Sequence, residues 1–291
     1  MAFIEQLING LNLGSIYALM ALGYTMVYGI AKLLNFAHGD IIMVGAYVLS
    51  VAMTSMGLNP FAAMLLSIVF CSILGILVEK IAYKPLRNAS PLTVLITAIG
   101  VSYFLQNSAL LIFGSQPTKV ESPIEMSGIT IGGLNITGTS VVTLIVTVII
   151  MIGLVLFINK TKIGKAMKAV SEDKGAAQLM GINVNRTISI TFAIGSALAA
   201  VASILFISTY GFVSPYTGAL PGIKAFVAAV LGGIGSIPGA MIGGIVLGII
   251  ESLSKAYIST ELADAIVFSV LIIVLLVKPS GLLGKMRTEK V

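Results

Sequence analysis

The sequence predicts an all-α integral membrane protein, a polytopic bundle of about eight to ten transmembrane helices. Of its 291 residues, 57% are hydrophobic and 10% are charged, whereas soluble domains carry roughly 25% charged residues. Mean hydropathy is +1.07. Uncharged runs such as 41–78 and 126–159 exceed the roughly 20 residues that cross a bilayer as a helix. The alternating pattern of outer-membrane barrel strands is not found along the sequence.

Apolar helical segments are expected at nine places in a single transmembrane domain that covers residues 1–291. They lie at about 7–30, 41–57, 60–79, 91–113, 139–158, 188–210, 222–235, 237–253 and 262–277. Segment 222–235 is short and glycine-rich, so it is either a full span or a re-entrant helix that lines a cavity. The first residues, MAFIEQLINGL, contain Glu5 and no basic segment, so a cleaved secretory signal is not expected.

The distribution of basic residues predicts the orientation. Thirteen of the seventeen Lys and Arg residues lie in 79–91, 159–187 and 278–291. If all three segments are cytoplasmic, the N-terminus and the loop at about 114–138 lie outside and the C-terminus lies inside. Lys119 in that outer loop is balanced by Glu121 and Glu125. Clustering of the basic residues between spans fits the positive-inside rule, and no nucleic-acid partner is expected.

The sequence lacks the residues that several classes of metal site and enzyme need. The chain has one histidine and one cysteine, His38 and Cys71, too few ligands for a zinc site. A Gly-x-Ser-x-Gly elbow and the second histidine of a hydrolase triad are missing from the sequence. GGIGSIPG at 232–239 resembles a phosphate loop, but no Gly-Lys-Ser/Thr follows it. We therefore expect no metal, cofactor or nucleotide hydrolysis on this chain, and any ATPase must be a separate polypeptide.

The stretch LLNFAHGDIIMVG contains His38 with Asp40 two residues later. Under the predicted topology it lies at the cytoplasmic end of the first two spans. Asp40 is placed to cap the second helix, and Gly39 to allow a tight turn. His38 is then expected to bind a backbone carbonyl or Asn35 and to fix the loop. A proton relay is the alternative, but the spans offer no chain of titratable groups for it.

If the bundle encloses a path for a polar solute, that path needs scattered hydrogen-bonding side chains on inward helix faces. The first and fourth spans supply such candidates: Asn12, Tyr17, Tyr24, Thr93, Thr97 and Gln106. The alternative for each is a hydrogen bond between helices or anchoring at the membrane interface. Glu251 is the acid nearest to a span interior, and Lys255 four residues later predicts a local ion pair rather than a solute ligand.

Glycines from Gly235 to Gly243 recur every fourth residue, and Gly244 and Gly248 continue the ridge. Such spacing lets the backbone of a neighbouring helix approach closely, either for packing alone or at a moving interface. Pro238 within the ridge favours a kink.

The largest charged block is the loop at about 159–187, which nevertheless keeps a helical apolar spacing and predicts short amphipathic helices. The residues that carry the spacing are Ile163, Met167, Val170, Ala177, Met180 and Ile182. Such helices either dock in the groove of a partner protein or lie on anionic lipid.

Three long stretches resemble the permeases of branched-chain amino acid ABC importers. They are GSIYALMALGYTMVYGIAKLLNFAHGDIIMVGAYV at 14–48, GKAMKAVSEDKGAAQLMGINVNR at 164–186 and AFVAAVLGGIGSIPGAMIGGIVLGIIES at 225–252. The Asn-Phe-Ala-His-Gly-Asp run is similar to the LivH-like subgroup. Within the loop, GAAQLMG resembles the Glu-Ala-Ala-x-x-x-Gly coupling motif of ABC importer permeases, although Gly175 replaces the glutamate and the downstream Ile-x-Leu-Pro is missing. The resemblance implies that a coupling helix in the loop contacts an ATPase through Lys168, Glu172, Asp173, Ala176, Ala177 and Gly181.

The resemblance implies a multi-pass permease in a bacterial or archaeal cytoplasmic membrane. Its expected partners are a second related permease subunit or a second copy, two cytoplasmic ATP-binding subunits, and an extracytoplasmic binding protein that delivers leucine, isoleucine or valine. Importers of urea and short amides are similar in the same motifs and remain an alternative. An ion-coupled secondary transporter would need intramembrane charges along a path, and a membrane enzyme with His38 and Asp40 catalytic would need further polar groups at the same depth.

Overall fold

The computed structural model describes residues 2–87, 89–124, 126–131 and 134–284. Glu125 and the last part of the basic C-terminal segment, 285–291, lie outside the described residues. Over the described ranges the chain forms eleven α-helices: α1 Ala2–Ala31, α2 His38–Thr54, α3 Pro60–Val78, α4 Pro91–Phe113, α5 Gly138–Lys160, α6 Lys162–Glu172, α7 Lys174–Leu179, α8 Val184–Tyr210, α9 Ala219–Gly232, α10 Ile237–Tyr257 and α11 Ala263–Val277. The helix α3 continues through a π-helical turn at Glu79–Tyr83 and a 3₁₀ turn at Lys84–Leu86.

The predicted helical bundle is confirmed, with differences in three spans. Six helices in the described part are long and apolar enough to cross a membrane, whereas α2, α9 and α11 are shorter, with 17, 14 and 15 residues. At 1.5 Å per residue, α9 is about 21 Å long, less than the roughly 30 Å of a hydrocarbon core. The segment predicted at 222–235 is therefore a short helix, and it is largely buried within the bundle.

The helix α1 forms the centre of the bundle and is almost entirely buried. The helix α10 runs antiparallel to it at very short distance, because glycines meet along the contact. A Cβ atom on Gly248 would lie 2.1 Å from the Gly14 nitrogen, and one on Gly244 would lie 2.5 Å from the Ala18 Cα. The expected close helix approach at this ridge is present.

The other side of the glycine ridge contacts α9. A Cβ on Gly243 would lie 2.1 Å from the Ala228 carbonyl oxygen, and one on Gly239 would lie 2.3 Å from that of Gly232. The expected kink at Pro238 is wrong, because this residue lies at the beginning of α10, where a missing backbone N–H costs no hydrogen bond. Ser236 caps the same helix by accepting from the Gly239 N–H at 3.2 Å.

Two antiparallel pairs of short strands form in the loops of the described chain. β1 Thr118–Lys119 pairs antiparallel with β4 Phe212–Val213, and β2 Ile129–Ile131 forms a hairpin with β3 Leu134–Ile136. The first pairing connects the loop after α4 to the end of α8, so these two loops lie on the same side of the bundle.

The outer surface of the bundle exposes many apolar side chains. Helices α3, α4 and α5 expose large hydrophobic side chains in the described part of the chain. On α3 these are Phe61, Leu65, Val69, Phe70, Ile73 and Leu77, and on α5 they are Ile145, Val148, Ile149, Ile152 and Leu156. Such a surface fits lipid or another membrane subunit.

Candidate functional site

The helix α2 begins inside the bundle. Gln106 Nε2 donates to Asp40 Oδ1 at 2.8 Å, and Gln106 lies about two-thirds of the way along α4. The Cys71 thiol, midway along α3, donates to the Ile41 carbonyl at 3.6 Å. The expectation that residues 35–40 lie at the cytoplasmic end of the first two spans is therefore wrong for Asp40, and also for His38, which packs against Tyr24 within α1. Instead, residues 32–37 lead the chain from the end of α1 back into the interior.

The expected roles of Asp40 and Gly39 are also corrected. The N-cap of α2 is Ala37, and no side chain caps this helix; Asp40 lies in the first turn and accepts from Gln106 instead. Gly39 is helical, so it does not serve a turn. It lies where the backbone before α9 makes contact, since a Cβ on Gly39 would be 2.5 Å from the Gly218 carbonyl oxygen.

Asn35 and His38 are buried close to this point. Asn35 Oδ1 accepts from the Tyr83 hydroxyl at 2.9 Å. The His38 ring packs edge-on against Tyr24, with centroids 4.6 Å apart, and it lies on the α1 backbone at Gly23. Neither ring nitrogen has a hydrogen bond of ordinary geometry to the described residues, so the expected side-chain bond is not formed. The hydrogen bond between His38 and Asn35 is a backbone one, from the His38 N–H to the Asn35 carbonyl at 3.1 Å.

Asp40, Gln106 and Ser102 form a polar cluster between α2 and α4. Gln106 Nε2 lies 3.2 Å from Ser102 Oγ as well as 2.8 Å from Asp40 Oδ1. Asp40 is buried, and among the described residues no Lys or Arg forms an ion pair with it. The positive end of α2 stabilises its carboxylate. Because Gln106 donates through its nitrogen, its carbonyl oxygen is an additional acceptor. The cluster offers oxygen acceptors that suit an ammonium group.

The structure separates the candidate path residues into two groups. Asn12, Tyr17 and Tyr24 are buried inside the bundle on α1, and the Tyr17 hydroxyl donates to Glu251 at 2.9 Å. Thr93 lies near the beginning of α4 and is exposed, and Thr97 donates to its carbonyl at 2.9 Å. Among these candidates, only Gln106 joins a polar cluster with Asp40.

A buried charge cluster joins four helices. Lys224 on α9 contacts Glu251 at 2.8 Å and Asp264 at 2.6 Å. Glu251 on α10 also accepts from Lys255 at 2.6 Å, the expected local pair, and from Tyr17 on α1. Sequence reasoning missed Lys224, although a lysine inside an apolar segment is itself a signal for an intramembrane partner. Since the carboxylate of Glu251 already has three donors, the cluster holds helices together.

The loop after α5 is built from two capped helices, α6 and α7, as its apolar spacing predicts. Thr161 accepts from the Gly164 N–H at 3.0 Å, and Asp173 accepts from the Ala176 N–H at 2.9 Å. Gly181 ends the second helix with a φ of +80°, a conformation that favours glycine. Two of the predicted coupling residues, Asp173 and Gly181, therefore shape the loop.

The remaining predicted coupling residues lie on two faces of this loop. Lys168, Glu172 and Ala176 are exposed, whereas Ala177 is buried. Lys174 fixes the loop to the bundle by donating to the Ala31 carbonyl at 3.0 Å. Burial, and then the nearby charge of Arg87, lower the pKa of Lys174 from its ordinary value.

Two apolar side chains at the end of α7 point away from the bundle. Leu179 is 90% exposed and Met180 is 82% exposed, more than almost any other large hydrophobic residue of the described chain. Exposed apolar residues at the tip of a charged loop fit either the groove of a partner protein or the lipid surface, the two alternatives that the sequence left open. The sequence singled out Met180 only as one member of the apolar spacing in this loop, and it did not single out Leu179.

In the part of the chain that the structure describes, no set of side chains is arranged to hold a metal ion. No group of three His, Cys, Asp or Glu side chains is close enough to hold an ion. His38 and Cys71 are both buried in contact with apolar helices.

Comparison with known proteins gives a consistent result over the whole length. A family model described as branched-chain amino acid transport system, permease component, matches residues 6–275. The high-affinity branched-chain amino acid transport system permease protein LivH of Escherichia coli strain K12 is 48% identical, with 99% of this chain and 98% of that protein covered. The corresponding protein BraD of Pseudomonas aeruginosa is 44% identical with the same coverage. A probable branched-chain amino acid transport permease protein LivH of the archaeon Methanocaldococcus jannaschii is 33% identical over 93% of this chain and 89% of its own length. No solved structure matches the chain.

Proposed function

This chain belongs to the family of branched-chain amino acid transport system permease components, and we propose that it forms the translocation path for leucine, isoleucine and valine in an ATP-driven importer. The observation that carries this proposal is the 44–48% identity to LivH and BraD over 98–99% of both chains. A transport function also agrees with a multi-pass helical bundle whose peripheral faces are apolar.

The energy for transport comes from a separate chain in this proposal. Two cytoplasmic ATP-binding subunits hydrolyse ATP, an extracytoplasmic protein delivers the amino acid, and a second permease subunit or a second copy completes the path. The N-terminus lies outside and the C-terminus inside, in the cytoplasmic membrane of a bacterium or archaeon. This orientation is supported by the basic residues Lys80, Lys84 and Arg87 and by those of the 159–187 loop.

Contact with the ATPase is made by α7 and the residue that follows it. The helix is held by the Asp173 cap and by Lys174 on the end of α1, so a movement of the loop is transmitted to the central helix. Leu179 and Met180 enter an apolar groove of the partner, and Lys168, Glu172 and Ala176 lie around this contact.

The amino acid passes between α2 and α4 in this proposal, beside the Asp40 cluster. Its ammonium group has three donors, and the Asp40 carboxylate with the oxygens of Gln106 and Ser102 supplies matching acceptors. Thr93 and Thr97 lie nearer to the beginning of α4. The buried residues Asn12, Tyr17 and Tyr24 support the path from within the bundle rather than line it.

The substrate is tested by the ATPase activity of the assembled transporter in nanodiscs. Binding protein loaded with leucine is expected to stimulate hydrolysis severalfold over empty binding protein, whereas urea and acetamide are expected to leave it at the basal rate. Stimulation by urea or acetamide and not by leucine would instead indicate the importer of urea or short amides.

A further inference from the structure

A cavity of about 570 Å³ opens where the 3₁₀ turn after α3, the helix α7 and the beginning of α8 come together. Its lining residues are Lys84, Arg87, Lys174, Gln178, Ile182, Asn183, Val184, Asn185 and Ile188. The cavity is distinct from the Asp40 cluster and from the exposed tip of α7. Of its lining residues, the functions proposed above use only Lys174, through its bond to the Ala31 carbonyl.

Three cations from two separate segments face this space, and no carboxylate among the described residues lines it. Arg87 is the most enclosed of them: it pairs with the buried Glu79 and donates to Asn185, while its Nε has no partner among the described residues. Lys174 donates to a backbone carbonyl, and its pKa is lowered by burial and by Arg87. Only Arg87 pairs with a carboxylate, that of Glu79, and no ion pair among the described residues neutralises the positive charges of Lys84 and Lys174. The cavity therefore favours an anion.

The helix α8 adds to the positive potential. It contains 27 residues, and Asn183, Val184 and Asn185 at its beginning line the cavity. The Asn183 side chain caps the Arg186 N–H at 2.9 Å, which leaves the other N–H groups of the first turn without partners within the helix. The positive end of a helix beside Lys and Arg side chains is a favourable site for a phosphate group.

The cavity lies where a membrane lipid can supply that phosphate group. The cavity lies at the end of one candidate span, Pro60–Leu86, and at the beginning of another, Val184–Tyr210. Ile81, one turn before Lys84, is 74% exposed, and Leu77 is exposed one turn further into the span. An acyl chain along these residues would place its headgroup at Lys84. We infer that the cavity binds the phosphate of an anionic phospholipid from the cytoplasmic leaflet, which rests on the orientation given in the proposed function.

Native mass spectrometry of the purified transporter tests this site by titration with dioleoylphosphatidylglycerol and dioleoylphosphatidylcholine. The test variant combines Lys84→Gln with Lys174→Gln, both in the cavity. The matched control is Lys80→Gln, an exposed lysine of the π-helical turn just before Lys84 that does not line the cavity. Phosphatidylglycerol is expected to bind the wild type more tightly than phosphatidylcholine, and the double variant is expected to lose about tenfold in that affinity. The control keeps it.

A third arm adds inorganic phosphate at millimolar concentration to the complex loaded with phosphatidylglycerol. The lipid is expected to stay bound, because its acyl chains contribute to the affinity. Displacement by phosphate, equal binding of the two lipids, or unchanged phosphatidylglycerol affinity in the double variant would each overturn the lipid site. Size-exclusion chromatography verifies that the variants assemble, and a single-lysine variant, Lys84→Gln, replaces the double variant if it does not. Leucine uptake by the same wild-type preparation reports separately on the proposed function.

Discussion

Lys224 Nζ and Glu251 Oε1 lie 2.8 Å apart inside the bundle, although 27 positions separate them in the sequence. The pair joins the short helix α9 to α10, and the Tyr17 hydroxyl brings the central helix α1 to the same carboxylate. Lys224 also contacts Asp264 at the beginning of α11. A helix of 14 residues that is too short to cross the membrane is thereby fixed at one depth.

Replacement of Glu251 with Gln is expected to destabilise the transporter by about 1–3 kcal/mol, because the buried Lys224 ammonium then keeps only the half-exposed Asp264 as a counter-charge. Asp264→Asn is the matched control, since Asp264 binds the same lysine but is 42% exposed, against 1% for Glu251. Exposed pairs contribute about 1 kcal/mol or less. Thermal unfolding of the two variants in the same detergent measures the difference. Equal losses would show that the buried pair does not hold the helices together.

Replacement of Gly248 with Ala is expected to separate α1 from α10. The new Cβ would lie 2.1 Å from the Gly14 nitrogen, and backbone atoms cannot yield without moving a helix. The expected cost is about 1–3 kcal/mol or more, seen as a lower unfolding temperature and a lower yield of assembled transporter. Gly153→Ala on α5 is the control, because a Cβ there meets no atom within 4 Å. If both variants are as stable as the wild type, the described contact between α1 and α10 is incorrect.

Replacement of both Leu179 and Met180 with Ser is expected to weaken association with the ATPase subunits at least tenfold, because each buried apolar side chain contributes about 1.5–3 kcal/mol. Ile163→Ser on α6 serves as the control, since this residue is also exposed on the loop but lies away from its tip. Co-purification of the ATPase with the tagged permease measures the effect. Retention of the ATPase by the double variant would place the contact elsewhere.

Replacement of His38 with Gln is expected to retain substantial leucine uptake. The ring is buried against Tyr24 and Gly23, and neither nitrogen forms an ordinary hydrogen bond to the described residues, so His38 has no relay partner in the described part of the chain.

Gln106→Leu is the contrasting change, since it removes the amide that contacts Asp40. We expect it to raise the KM for uptake about tenfold, the effect of roughly one strong charged hydrogen bond.

Leucine uptake by the two variants is measured in reconstituted transporter that has assembled normally. Loss of uptake in the His38 variant alone would indicate a role in proton transfer. Unchanged KM in the Gln106 variant would remove α4 from the path.

The helices and the shape of the charged loop were predictable because they depend on local pattern. Of the six apolar positions predicted to share the helical spacing, Met167, Val170 and Ala177 are buried and Ile182 is half-buried, whereas Ile163 and Met180 are exposed. The position of Asn35 to Asp40 was not predictable in this way. A polar hexapeptide between two apolar runs has the pattern of a surface loop. Its burial depends on Tyr83 and Gln106, which are 48 and 66 residues away from their partners.

Lys224 illustrates a related limit of sequence reasoning. Its partners Glu251 and Asp264 are on two other helices, so no local spacing identifies them. The i,i+4 pair of Glu251 with Lys255 was predicted and is confirmed at 2.6 Å, because both residues lie on one helix. Contacts within a helix follow from its period, whereas contacts between helices require the packing itself.

The measurement that tests the central claim most directly is concentrative uptake of labelled leucine into proteoliposomes that contain this chain with its partner subunits and binding protein. With ATP on the ATPase side, leucine is expected to accumulate above its external concentration. With a non-hydrolysable ATP analogue, or with this chain alone under an imposed proton or sodium gradient, no accumulation is expected. Accumulation driven by an ion gradient without the ATPase would contradict the assignment of this chain as the permease of an ATP-driven importer.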